Sequence, residues 1–402
     1  MSPPSRLKGE YRSAQREGIP VTPPSRLLFV VNNPAFFLSH RLPLALAARQ
    51  AGHEVHVATM DGPAVAQIAA HGLAHHVIPM TRSGKQVLQE LRSLLALWRL
   101  FRRLRPDVVH LVTIKPVLYG GIAARLAGVP GMVAAISGLG FVFVSDTART
   151  RMVRAVVARL YRLALGHRNS RVIFQNTADR DVLQRLGCVR PGQVVMIRGS
   201  GVDLQACHAL PEPPPPVAAL MVARLLRDKG VGEFVEAARL LRRRGLDVRM
   251  RLAGGVDPGN PASFTEADVQ AWREEGAVEV LGERRDVAQQ YAAAHLAVLP
   301  SYREGLPKSL LEAAACGRAV VTTDVPGCRD AITPGETGVL VPPRDAAALA
   351  DAIARLAEDA ELRQRMGRAG RALAEQEFSI ADVCRRHLAI YDALRGGPAA
   401  GI

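Results

Sequence analysis

Short apolar runs and amphipathic stretches alternate along most of the chain. Leu27-Leu28-Phe29-Val30-Val31 is a run of the kind buried on both faces of a parallel sheet. An amphipathic helix is predicted over 42–51, closed by Gly52, and 54–58 reads as the next strand. Further strands are predicted at 107–112, 132–136, 171–174 and 194–197. Strands that alternate with helices predict a doubly wound parallel sheet, with ligands beyond the C-terminal ends of its strands.

Residues 208–217, HALPEPPPPV, interrupt this pattern. Four consecutive prolines suit neither a helix interior nor a central strand, so this segment reads as a stiff linker. The alternation then restarts, with strands predicted at 218–222, 248–253, 278–281, 296–300, 319–323 and 338–341. The expected fold is α/β, two doubly wound Rossmann-like domains facing across a cleft. The first spans 26–207, the second 218–379, and a last helix covers 380–396 after a flexible tail at 1–25.

A length of 402 residues supports two such domains of about 200 residues each. Five scattered cysteines with no C-x-x-C pair argue against a disulfide framework or zinc site and fit a reducing cytoplasm. No stretch reaches the roughly 18 apolar residues of a membrane span, and the polar N-terminus has no signal-peptide core. A cytoplasmic protein is therefore expected. The 52 Lys+Arg against 37 Asp+Glu, a net +15, suit an anionic partner: membrane lipid, nucleic acid or a phosphorylated substrate. Only five of the basic residues are lysine, and arginine bias explains that choice without explaining the surplus of positive charge.

Two segments of the second domain carry chemistry. Arg224-Leu-Leu-Arg-Asp-Lys229-Gly230 follows its first strand and precedes a helix over 231–242. Two cations at a strand mouth, beside the amides of a helix N-terminus, suit a diphosphate. A pyrophosphate leaving group needs such charge as its bond breaks; an ordinary solvated turn is the alternative. Glu304-Gly305-Leu306-Pro307-Lys308-Ser-Leu-Leu-Glu312 joins a loop to a helix that begins near Pro307. Gly305 allows close backbone approach. Glu304 before the helix and Glu312 within it can meet the sugar and the ribose of one extended ligand. Apolar neighbours surround Glu312, so its carboxylate requires a partner.

Taken in order, Arg224…Lys229-Gly230, Ala253-Gly254-Gly255, Glu304-Gly-Leu-Pro…Glu312, Ala315-Cys-Gly-Arg-Ala-Val-Val-Thr-Thr-Asp and Gly338-Val-Leu-Val resemble the family 4 retaining glycosyltransferases, which have the two-domain GT-B fold. The two glutamates match that family's E-x7-E pattern, and the set covers most of the second domain. The resemblance implies that Arg224 and Lys229 hold the diphosphate and stabilise the leaving group. Glu304 would contact donor-sugar hydroxyls, with Gly305, Leu306, Pro307 and Lys308 close by, and Glu312 would bind the ribose. Gly282 and Arg284, in the segment 282–287, would lie beside the base. It further implies front-face attack with retention, a nucleotide-sugar co-substrate with no catalytic metal, and a last helix that crosses back to the first domain. Lys229 and Lys308, two of only five lysines, both fall in this site, where a compact point charge differs from a guanidinium.

In the first, acceptor-binding domain, 32–41 (NNPAFFLSHR) occupies the turn after the first strand, where many family members carry a glycine-rich loop. It resembles a subgroup acting on lipid-linked saccharides, as does 137–143. Asn33, His40, Arg41 and Gly138 are the acceptor-side candidates from these segments. His110 and Lys115 flank the end of the third strand; His110 is taken as catalytic, against the alternative of a structural histidine. Two basic amphipathic stretches, 88–104 and 149–171, with the apolar loop 141–144 between them, suggest contact with an anionic membrane surface. The alternative is that their apolar faces only pack on the sheet. The expectation is transfer from a UDP-sugar to a lipid-linked saccharide on the inner face of the cytoplasmic membrane, for capsule, O-antigen or a related polysaccharide. Rivals are a soluble acceptor, a sugar-nucleotide epimerase, or a nucleic-acid binder. The last lacks aromatic platforms, with aromatics at 4%.

Overall fold

A computed structural model describes residues 25–80, 87–139 and 148–396. The expected tail before Ser25 and the apolar loop at 141–144 lie outside the described residues.

The first sheet contains β1 (Arg26–Val31), β2 (Glu54–Thr59), β3 (Ala74–Val77), β4 (Val108–Val112), β5 (Gly131–Ile136), β6 (Ser170–Phe174) and β7 (Val194–Met196). All its pairs are parallel, in the spatial order β3-β2-β1-β4-β5-β6-β7. Its helices are α1 (Pro34–His40), α2 (Leu42–Gln50), α3 (Val65–Ala70), α4 (Val87–Leu104), α5 (Gly121–Ala127), α6 (Ala148–Leu165) and α7 (Thr177–Arg185). The segment after β1, expected as a turn, is the helix α1. Asn33 caps it by accepting from the amides of Ala35 and Phe36, and Pro34 fits its first turn.

The second sheet contains β8 (Val217–Val222), β9 (Val248–Ala253), β10 (Glu279–Gly282), β11 (Leu296–Leu299), β12 (Ala319–Thr323) and β13 (Gly338–Val341). Their order is β10-β9-β8-β11-β12-β13, again all parallel. Its helices are α8 (Val231–Arg243), α9 (Glu266–Glu275), α10 (Val287–Ala292), α11 (Lys308–Ala315), α12 (Ala346–Glu358) and α13 (Ala360–Glu377). In both sheets the order reverses between the first and fourth strands, which opens a crevice at their C-terminal ends.

The proline-rich segment is tied to the second domain. Glu212 accepts two bonds from the buried guanidinium of Arg363, at 2.9 and 2.8 Å. The last helix, α14 (Ile380–Leu394), crosses back and packs on α2 and β5. Ile390, Tyr391 and Leu394 join Phe29 and Val133 in the first-domain core. The chain passes between the domains twice at one place. There Val202 N donates to Phe378 O at 2.8 Å and Ile380 N donates to Val202 O at 3.0 Å. Gly201 is needed there: its φ is +80°, and a Cβ would stand 2.7 Å from Ile380 Cα.

Candidate active site

β8 and β11 are neighbours at the reversal point of the second sheet, and the loops leaving them interlock. After β8 the chain makes one tight turn, Arg227–Lys229, and enters α8 through Gly230. At φ +74°, a Cβ on Gly230 would stand 2.0 Å from Pro300 O, so no other residue lets the two backbones lie this close. Tyr302 N donates to Asp228 O at 2.9 Å, fastening the second loop to the first. Lys229 Nζ then donates to Glu304 Oε1, and Ser301 Oγ donates to the same oxygen at 2.8 Å.

Two further cations border this pair. Arg224 is 57% exposed and is steered by the largely buried carboxylate of Asp257, at 2.7 Å. Lys308 pairs with Glu312 at 3.1 Å, which supplies the partner that Glu312 requires among its apolar neighbours. Pro307 caps α11 through its carbonyl, which accepts from Leu310 N at 3.0 Å, and Leu306 is buried in the second-domain core. Gly282, with φ +70°, ends β10, and Arg284 is bound to Asp286 at 2.6 Å. Arg224, Lys229 and Lys308 are thus three ordered cations, each positioned by a carboxylate that leaves the charge partly exposed.

The first domain grips the Glu304 loop from the other side. Gly138, with φ +111°, brings its backbone against Gly305, and a Cβ on Gly305 would stand 2.5 Å from Ser137 O. Asn176 Nδ2 donates to Gly305 O at 2.7 Å. Arg303 pairs with Asp179, whose carboxyl is raised by burial while Arg303 and then Asn176 oppose the rise. None of Asn176, Asp179, Ser301 or Arg303 is singled out by sequence reading. Asn176 and Asp179 have the spacing of a helix cap, and the cap is present, but nothing local announces the grip on Gly305.

His40 stands on the first-domain side of the opening. Its ring stacks on Phe36 with centroids 4.1 Å apart, and its Nδ1 bonds Ser39 Oγ at 2.6 Å. Burial, followed by the charge of Lys308, pushes its imidazolium pKa down to about 3; Arg41 and Lys229 add to the effect. A neutral imidazole therefore faces the cations of the other domain.

Two expected site residues are corrected. His110 lies inside the first-domain core, 1% exposed, with Nδ1 bonded to Tyr391 Oη at 2.6 Å and its ring between Phe29 and His387. Burial lowers its pKa well below the usual histidine value, and no face of it reaches the cleft. Arg41 is buried where α1 meets α2, in electrostatic range of Tyr391 and Cys384 of α14, and burial pushes its guanidinium down to about 10. Neither side chain can touch a ligand without unpacking α14. Asn33 serves as the cap of α1, and Lys115 pairs with Glu90 of α4 at 2.7 Å, tying the end of β4 to that helix.

The outer face of the first domain is formed by α4, α5 and α6, which pack side by side. Leu97, Leu100 and Phe101 point into the core, yet Leu88 is 73% and Leu126 65% exposed, and Leu91, Leu95, Val156 and Leu163 are exposed as well. Leu91, Leu94, Leu95, Trp98 and Leu126 line a shallow groove of about 470 Å³. Arg92, Arg99, Arg102, Arg103, Arg125, Arg159 and Arg162 are exposed on the same three helices, whose one acidic residue is Glu90. Among the described residues no helix is long and apolar enough to cross a membrane, and no cluster of three or more His, Cys, Asp or Glu side chains is placed to hold a metal ion.

Comparison with known proteins matches both halves of the chain. Residues 26–176 fit the family model "Glycosyl transferase 4-like", and residues 208–373 fit "Glycosyl transferases group 1". An N,N'-diacetylbacillosaminyl-diphospho-undecaprenol alpha-1,3-N-acetylgalactosaminyltransferase of Campylobacter jejuni is 29% identical over 380 residues, covering 89% of this chain and 97% of its own length. A UDP-Gal:alpha-D-GlcNAc-diphosphoundecaprenol alpha-1,3-galactosyltransferase of Escherichia coli is 25% identical over 296 residues, covering 70% of this chain and 74% of its own. Among solved structures, sucrose-phosphate synthase from Thermosynechococcus elongatus shares the fold, with a TM-score of 0.76 and 21% identity over 92% of this chain and 99% of that one.

Proposed function

Since the chain belongs to the group 1 and 4-like glycosyltransferases, the two family models together spanning both domains, we propose that it moves a sugar from a UDP-linked donor to a lipid-linked saccharide, retaining the anomeric configuration. The observation that carries this reading is the meeting of Lys229 with Glu304 at the reversal point of the second sheet, opposite Gly138 of the first domain.

In this reading the donor diphosphate lies against Arg224 and Lys229, and Glu312 with Lys308 holds the ribose. As the bond from the sugar's anomeric carbon to phosphate breaks, its electron pair moves to the phosphate oxygen. The cations meet that charge already oriented, which is where electrostatic catalysis gains most. The acceptor hydroxyl adds to the same face and passes its proton to the departing phosphate oxygen. Glu304 holds Lys229 in place and contacts donor-sugar hydroxyls, and it is not a nucleophile. No metal is required by this scheme, because cationic side chains carry the leaving-group charge.

The saccharide acceptor on a polyprenyl diphosphate is supported by the names of the two bacterial relatives above. The arginine-rich face with exposed leucines supports docking on anionic lipid at the membrane surface, a location suited to such an acceptor. Product would then enter a surface polysaccharide.

A donor screen tests the proposal: purified protein, a detergent extract of membrane lipids, and a panel of UDP- and GDP-sugars, with release of free nucleotide and labelled lipid product followed together. UDP release that depends on the extract and persists in EDTA is expected. Conversion of a UDP-sugar to a different UDP-sugar without extract would point to an epimerase, and transfer only to soluble saccharides would remove the lipid-linked acceptor from the reading.

A further inference from the structure

Glu304 sits between two residues that the first domain holds, and one carboxylate stands behind both holds. Arg303, on one side of Glu304, donates through Nη2 to Asp179 Oδ1 of α7. Gly305, on the other side, accepts through its carbonyl from Asn176 Nδ2 at 2.7 Å. The same amide donates to Asp179 Oδ2 at 3.1 Å, and Asn176 Oδ1 accepts from Asp179 N at 2.8 Å. Asp179 also accepts from the backbone amide of Leu139, in the segment whose Ser137 carbonyl lies against Gly305. Consecutive side chains of the loop therefore face opposite domains. Arg303 reaches into the first, while Glu304 turns to Lys229 and Ser301 of the second.

Asp179 is buried, and the Arg303 side chain is only 13% exposed. Taking two ions out of water is costly, and their attraction offsets that cost only with good geometry and further hydrogen bonds. Asp179 has both, from Asn176 and Leu139. Loss of either partner leaves the other as an uncompensated buried charge. Relief lies close by. A cavity of about 590 Å³, lined by Ala178, Val182 and Arg185 of α7 and by Arg303 and Pro326 of the second domain, opens to solvent beside the pair. Parting the domains there hydrates the stranded ion and leaves each sheet and core whole. The loop stays with the second domain as this happens, because Glu304 N donates to Pro326 O at 3.2 Å.

We propose that Asp179 is a positioning residue for Glu304: it holds Arg303 directly and Gly305 through Asn176, and so keeps the domains closed with Glu304 against Lys229. The role rests on the place of Glu304 in the transfer site given above. Asp179 and Arg303 touch no substrate in it. Arg224, Lys229 and Lys308 all belong to the second domain, so the donor is gripped whether the latch is fastened or not. Release of the latch lowers transfer and spares donor binding.

The test compares R303M, D179N and the double variant with the wild type. In nucleotide-release assays with a UDP-sugar and the lipid extract, each single variant lowers kcat about 10- to 100-fold, the cost of a small misplacement. Donor KM, and UDP affinity by calorimetry, stay within about threefold, a split that a general loss of structure would not produce. The double variant loses no more than D179N alone, because Arg303 acts only through Asp179. R303M keeps every bond within the first domain, so its result stands even if D179N does not fold. In small-angle scattering without substrate, R303M has a larger radius of gyration than the wild type. Scattering needs neither acceptor nor turnover, so it tests the latch even if the lipid extract proves inactive. UDP affinity that falls along with kcat in R303M overturns the proposal, as do losses that add in the double variant. Near-wild-type kcat or an unchanged radius of gyration in R303M overturns it too.

Discussion

Lys229 and Glu304 form an ion pair across the two loops that leave β8 and β11, although 75 residues separate them in the chain. Neither loop could set this geometry alone. The close backbone approach at Gly230, the bond from Tyr302 N to Asp228 O and the Ser301 hydroxyl together fix where the carboxylate and the ammonium meet.

Removing either partner is expected to lower kcat by about 100- to 1000-fold, the range found when one preorganised charge-stabilising group is lost. Lys229→Ala and Glu304→Ala should both fall in that range in the nucleotide-release assay. Lys229→Arg should not restore the rate, because a planar guanidinium cannot occupy the place of an ammonium held between Glu304 and the ligand. Near-wild-type turnover in either alanine variant would remove this pair from the site.

Gly305→Ala separates donor binding from transfer. Its new methyl would stand 2.5 Å from Ser137 O and 2.8 Å from Gln175 Oε1, so the first domain must withdraw. UDP affinity measured by calorimetry should stay within about threefold, because the second domain is intact, while transfer falls at least about tenfold through overpacking at the domain contact. Equal losses in both measurements would contradict this division of labour.

Docking on lipid should follow the charge and the leucines of the α4–α6 face. Sedimentation with phosphatidylglycerol vesicles should exceed that with phosphatidylcholine and decline with salt. Replacing Arg99, Arg102 and Arg103 with glutamine should cost about 1 kcal/mol each, roughly 100-fold or more in partitioning for the set. Leu91→Glu with Leu95→Glu should abolish binding and leave transfer to a detergent-dispersed acceptor measurable. Vesicle binding that ignores both sets of changes would show that these helices do not meet the membrane.

Acid should unfold the protein through its buried histidines. His387 is pushed down to about 3 by burial, with Arg41 adding to the effect, and His110 is lowered in the same way. The unfolded chain takes up protons near pH 6.5 and the folded chain does not, so stability is full above that pH and falls as the pH drops toward 3. At pH 5 the His387 imidazole alone costs about 2 kcal/mol. Melting followed by circular dichroism should drop between pH 7.5 and 5, and His387→Met should flatten that slope. A wild-type melting temperature that is unchanged over this interval would contradict it.

The strands buried on both faces are legible in the sequence because burial on both sides forces continuous apolar runs. β3, Ala-His-His-Val, is not, because an edge strand with half-exposed residues carries no such run. Lys229, Glu304 and Glu312 are legible because their spacing is local. The grip of Asn176 on Gly305 joins residues 129 apart, and no local pattern encodes it. His110 misleads for a related reason. A histidine in a strand beside a cleft has the look of a ligand contact, but it shares a strand face with Val108 and Val112, and that face is closed by Tyr391, 281 residues later.

The return of α14 to the first domain also bears on how the protein is made. The first domain is synthesised first, yet Ile390, Tyr391 and Leu394 belong to its core. Those side chains leave the ribosome after every strand of the second domain. The core around Phe29 and Val133 must therefore wait, incomplete, until α14 has been made. Domains of many proteins mature in the order of their synthesis; here the first domain is sealed by a helix made after the whole of the second.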